Sequence, residues 1–155
     1  MGSILIVGAS GILAPAASAL VARGATVTGI SRRGAMPDGV EALHADARDA
    51  TALAAVLDGR RWTAAIVYGP TVDESTLPLI ARAVDRLVRV RTSAAADPVR
   101  GEVALPPDVL QLGWRDDGAT VRWHTPDEVS AAALDVFDGG ESRVLGTVRP
   151  WERRP

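Results

Sequence analysis

The sequence contains no cysteine, which excludes disulfides, thiol catalysis and cysteine-ligated metals. It contains no lysine either. All 17 basic side chains are arginine, so no mechanism that needs a lysine ammonium can run on this chain. Aromatic residues make up only 4%, with one tyrosine, Tyr68, and four tryptophans. Trp62, Trp114, Trp123 and Trp151 read as core or interface residues, since nothing around them suggests a base-stacking surface. The two histidines, His44 and His124, lie far apart, and no metal-site spacing emerges. A formal charge of −2 gives no electrostatic case for nucleic acid. Charge is missing altogether from Gly2 to Ala22, but Gly8, Gly11 and Pro15 interrupt that run, which excludes one membrane-spanning helix. No positive residue precedes Arg23, so a signal peptide is not expected either, and the expected location is the cytoplasm.

What is present is a chain of 155 residues, 47% hydrophobic and 23% charged, the size and balance of one soluble α/β domain. Its most informative stretch is Ser3 to Ala14. Ile4 to Val7 reads as a buried strand that ends at Gly8, followed by Gly11, then Ala14, then an alanine-rich helix from Pro15 to Ala22. A strand, a glycine turn and a helix N-terminus in that order form the arrangement that receives a dinucleotide pyrophosphate. Gly8 allows the sharp turn, Gly11 allows close approach of phosphate, and Ala14 allows tight helix–strand packing. The spacing is Gly-x-x-Gly-x-x-Ala, which differs from Gly-x-Gly-x-x-Gly, and a glycine turn that holds no ligand has the same local pattern.

Strand and helix signals alternate beyond the turn. Strands are expected at Ala25–Ser31, Val40–Ala45, Thr63–Tyr68 and Leu87–Thr92. Helices are expected at Asp49–Leu57, with Asp49 as N-cap, and at Glu74–Asp85, where Asp73 and Glu74 suit the helix dipole. The rhythm predicts an α/β fold with a doubly wound, mainly parallel, Rossmann-like sheet whose strand ends share one ligand-binding edge. Prolines exclude a long helix between Ala94 and Asp108. Val109–Trp114 and Ala119–His124 are expected to form a hairpin about Asp117-Gly118. Thr125-Pro126-Asp127-Glu128 is a capping box that opens a helix to about Phe137, and Arg143–Val148 is expected as a last strand. Residues 1–150 then form one dinucleotide-binding domain, and 151–155 a loose tail.

The end of the second strand bears on cofactor choice. An NAD site places an acid there to accept from the ribose hydroxyls, whereas this chain reads Ser31-Arg32-Arg33, with no acid before Asp38. A 2′-phosphate would meet a hydroxyl and two guanidinium groups, so NADP(H) is expected over NAD(H).

Together these segments resemble the short-chain dehydrogenase/reductase family, in particular its compact, atypical members. The resemblance covers Ile4 to Ser93 and, more weakly, the closing segment Arg122 to Val129. It implies cofactor contacts from Gly8, Ser10, Gly11 and Ile12, from Arg32 and Arg33 at the 2′-phosphate, and from Asp46 at the adenine. It implies a nicotinamide ribose beside Tyr68, Gly69 and Pro70, and a serine, Ser93, that orients a substrate carbonyl. One departure is decisive. Catalytic members carry a Tyr-x-x-x-Lys pair after strand five, in which lysine lowers the tyrosine pKa so that the phenol can donate a proton. Here the only tyrosine precedes that strand, and there is no lysine.

The residues therefore point to an NADP(H)-binding oxidoreductase with reduced or reassigned acid–base machinery. Its cofactor residues are Gly8, Ser10, Gly11, Ile12, Ser31, Arg32, Arg33, Asp46 and Gly69; Ser93 and Tyr68 are its candidate catalytic residues. A small carbonyl or imine compound is the candidate substrate. A non-catalytic dinucleotide sensor, or a subunit paired with its own copy or with another chain, is the alternative, and another adenine nucleotide also fits the turn. An open pocket beside Ser93 and Tyr68 would discriminate an enzyme from a sensor.

Overall fold

A computed structural model describes residues 2–155. Its first four strands are β1 (Ser3–Val7), β2 (Thr26–Ser31), β3 (Glu41–His44) and β4 (Trp62–Tyr68). They join β5 (Val84–Arg91), β6 (Val109–Leu112) and, after a separate two-stranded hairpin, β9 (Arg143–Leu145). Those seven form one sheet in the order β3-β2-β1-β4-β5-β6-β9, and all its strand pairs are parallel. Strand order reverses at β1, so β1 and β4 diverge toward opposite edges, and a crevice opens beyond their C-terminal ends. The fold is an α/β Rossmann-like fold with a small antiparallel hairpin. Among the described residues no helix is long and apolar enough to cross a membrane.

Two apolar layers hold the sheet. On one face α1 (Ala14–Ala22) and α4 (Pro126–Phe137) pack Ala16, Leu20, Val129 and Val136 over Ile4, Ile6, Val88 and Leu110. On the other face α2 (Ala50–Leu57) covers Leu5, Val7 and Ala65 with Leu53 and Leu57, and α3 (Leu77–Ala83) adds Ile80 and Ala83. The alternation of Leu5 and Val7 against Ile4 and Ile6 explains why β1 reads as one continuous apolar run, for its two faces are both buried. Local signals start the helices as expected. The Asp49 carboxylate accepts from the N–H groups of Thr51 and Ala52, and Thr125 and Glu128 close a reciprocal capping box. At the other end of α4, Arg86 donates to the carbonyls of Val136 and Phe137, which lack partners within the helix. The Ser130 hydroxyl donates to Ile12 O at 3.0 Å and ties α4 directly to the glycine turn.

The structure differs from the sequence reading in four places. Val109–Leu112 is not half of a hairpin. It lies in the main sheet, parallel to β5 and β9, because all four of its residues are buried and need cover on both faces. The hairpin is shorter and joins β7 (Arg115–Asp116) to β8 (Val121–Arg122) about Asp117-Gly118. The helix expected over Glu74–Asp85 shrinks to α3. The Asp73 carboxylate is engaged by the N–H groups of Ser75 and Thr76 in a preceding turn, and Val84 already has the extended backbone of β5. The last strand ends at Leu145 rather than Val148. Finally, residues 151–155 are docked. Trp151–Arg153 form a 3₁₀ turn, the Trp151 ring meets Trp114 at 5.9 Å, and Arg153 pairs with Asp116 at 2.5 Å.

Candidate active site

Beyond the C-terminal ends of β1, β2 and β4 lies a groove of about 310 Å³. The glycine turn forms its floor. Gly8 takes φ +114°, a conformation in which a side chain would be strained, and a Cβ there would lie 3.0 Å from Tyr68 Cβ. Gly11 is different. Its backbone is not left-handed, and a Cβ would meet nothing within 4 Å. The space above Gly11 is therefore open to the groove, and no protein group fills it. The turn's backbone bonds use the N–H groups of Gly11, Leu13 and Ala14, leaving those of Ser10 and Ile12 without a backbone partner among the described residues. Ser10 and Ile12 both line the groove just ahead of the N-terminus of α1, where the helix dipole favours an anion.

The groove's far end carries charge. Arg32 lines it after β2, and Asp46 lines it after β3. Arg48 lines it too, a residue that the sequence reading missed. Its backbone N–H and Nε both donate to Asp46 Oδ1, at 3.0 and 3.3 Å. Those bonds, with Arg32 nearby, hold the Asp46 carboxyl below its ordinary value, so it stays ionised but partly neutralised. The signal was there to find: an acid followed two residues later by arginine at a strand end can close on itself through an Asx turn. Ser31 lines the groove, but its hydroxyl accepts from Gly34 N at 3.0 Å and serves the turn. Arg33 and Gly69 do not line the groove. Arg33 is exposed beside Arg32, and Gly69 packs close to the Val90 carbonyl.

A second cavity, of about 250 Å³, adjoins the groove and shares Ile12 and Tyr68 with it. Its walls bring Ser93, which follows β5, together with Leu112 of β6 and with Trp123, His124 and Val129 around the start of α4. Burial is the cause that pushes the Tyr68 phenol above its ordinary value. The His124 side chain is only 6% exposed. Its Nε2 lies 3.2 Å from Leu145 O, which fits a donor at that nitrogen, and its Nδ1 faces Glu128 Oε2 at 3.7 Å. The capping box carries His124, with Trp123, to the cavity wall. His44 lines neither cavity.

No family model matches the chain, and no curated protein matches it in sequence. Solved structures do match in fold. The Bordetella bronchiseptica enzyme WbmH in complex with NAD+ superposes with a TM-score of 0.66 at 13% identity, covering 95% of this chain and 75% of that one. BdcA in complex with NADPH gives 0.61 at 17% identity, over 94% and 93% of the two chains. A Rossmann-fold NAD(P)-binding family protein from Shigella flexneri gives 0.54 at 17% identity, over 93% and 92%. The chain therefore has the Rossmann fold that these dinucleotide-binding proteins share.

Proposed function

We propose that this protein is an NADP(H)-dependent oxidoreductase of reduced acid–base machinery, acting on a small carbonyl or imine compound. The observation that carries the reading is that the two cavities meet at Ile12 and Tyr68. Ile12 and Tyr68 border both, so a dinucleotide laid on the glycine turn would bring its nicotinamide end to the cavity that holds Ser93. Gly8 to Ile12 would receive the diphosphate, Arg32 the 2′-phosphate, Asp46 the adenosine, and Tyr68 the nicotinamide ribose. A bound nicotinamide supplies a hydride. Ser93 orients the carbonyl through its hydroxyl, and the apolar walls keep bulk water from the reacting carbon. A cytoplasmic location, where the NADPH pool lies, goes with this reading.

Proton supply is the weak point of the machinery. A half-buried phenol whose pKa is raised gives up its proton less readily than an ordinary tyrosine, and no lysine stands by to reverse that. General acid catalysis is typically worth about 10²–10⁴-fold, so simple ketones are expected to react slowly and pre-activated iminium or enone substrates faster. The same raised pKa favours the second reading, a dinucleotide-binding sensor or subunit without turnover. Both are tested by following NADPH oxidation across a carbonyl and imine panel with the parent protein, Ser93→Ala and Tyr68→Phe. The proposal expects turnover of activated substrates that falls at least tenfold in Ser93→Ala. Fast reduction of an unactivated ketone would overturn the reduced-machinery reading, and no turnover with NADPH bound would establish the sensor.

A further inference from the structure

Resting on the reading of the second cavity as the substrate site, we infer that its substrate carries a carboxylate, and that Arg154 is the residue that recognises it. The Arg154 guanidinium sits 5.1 Å from the Trp123 ring centroid and 5.2 Å from that of Trp151. Its Nε donates to Ser93 Oγ at 3.1 Å. Arg154 is not a lining residue of the cavity, but two of those three contacts, Trp123 and Ser93, are its walls, which puts the exposed guanidinium at the cavity's edge. Stacking on two rings and one hydrogen bond fix the cation in place, so little further ordering is needed when it meets a ligand.

Arg154 has no acidic partner among the described residues, while Arg153 beside it is bound to Asp116 and Arg122 to Glu128. Because Nε is engaged by Ser93, the two terminal nitrogens remain for an end-on fork with two oxygens of one anion. No carboxylate lines the cavity to compete, and Ile12, Leu112, Trp123 and Val129 make its wall mostly apolar. One guanidinium balances one charge, which matches a carboxylate better than a doubly charged phosphate. Ser93 gains as well. Its oxygen accepts from Arg154, so its own proton is free to be donated to a carbonyl oxygen a few bonds from the carboxylate. The substrate class is thus an oxo acid, or the corresponding imino acid, with an apolar body.

The test is calorimetric titration of hexanoate and of its neutral counterpart hexanamide into the full chain, with and without NADPH. Hexanoate is expected to bind about tenfold more tightly than hexanamide, as a charge-assisted pair requires. In Arg154→Gln the two should bind alike, while NADPH binding stays that of the parent. Equal affinities in the parent, no hexanoate binding, or an acid preference that survives Arg154→Gln would each overturn the inference. An acid preference that depends on Arg154 in a protein that does not bind NADPH would uphold the carboxylate site and defeat the dinucleotide reading instead.

Discussion

Arg32 bears most directly on which dinucleotide the groove selects. It lines the groove, has no acid partner among the described residues, and approaches Asp46 closely enough to help keep that carboxyl ionised. Asp46 is itself held by Arg48, so the groove's far end is net positive. In the unmodified protein NADPH is expected to bind at least tenfold more tightly than NADH, and Arg32→Asp should abolish or invert that order, because an anion would face the 2′-phosphate. Fluorescence titrations with both cofactors check this, and equal affinities in the parent would contradict it. Much at this scale was legible. Gly8, Ser10, Gly11, Ile12, Ser31, Arg32 and Asp46 all border the groove. The misses have physical causes. Arg33 is exposed outside the groove and Gly69 sits against the Val90 carbonyl, and nothing in a sequence says which residue of a strand-end turn faces a ligand. Arg48 and Arg154 act through contacts with Asp46 and Ser93 that no periodicity encodes.

Among the elements, β1 to β5 and the capped helices α2 and α4 were foreseen, whereas the pairing of β6 and the extent of α3 were not. The capping box at Thr125 gave the start of α4 to the residue. Thr125→Ala removes an acceptor for Glu128 N–H and is expected to destabilise the fold by about 1 kcal/mol, read as a lower urea midpoint with an unchanged slope. β6 was misread because an apolar segment before a turn looks the same in a hairpin as in a parallel sheet, and only the buried faces on both sides decide. Residues 151–153 are docked by the Trp151–Trp114 contact and by the Arg153–Asp116 pair. Arg153 is the main cause that holds the Asp116 carboxyl at about 2, below its ordinary 3.8. A depressed folded-state value means that the pair helps above the ordinary value and is lost as pH falls through about 2. The pair is solvent-exposed, so its contribution is small and weakens with salt. Tryptophan fluorescence, which reports Trp151 against Trp114, should change over that acid range, and Arg153→Ala should move the change toward higher pH. Coincident titrations would contradict the assignment.

At the level of the whole molecule, the order β3-β2-β1-β4-β5-β6-β9 gathers the ends of β1, β2, β4 and β5 at one edge, and the two cavities lie there. The β3-β2-β1-β4-β5 part of that topology was legible because strands and helices alternate there and parallel crossovers are right-handed, whereas the place of β6 was not. The second cavity was not, since its walls come from segments as far apart as Ile12 and Val129. The proposed function stands on a dinucleotide held by the glycine turn. Calorimetric titration of NADPH into the parent and into Gly11→Val tests it most directly, because a Cβ at Gly11 meets nothing in the protein and Gly11→Val should keep the parent's circular dichroism and melting temperature. The account predicts that the parent binds, gaining about 2.7 kcal/mol of stability at a hundredfold excess over Kd, and that Gly11→Val shows no binding. A folded Gly11→Val that binds NADPH as the parent does, or a parent that binds none, would contradict it.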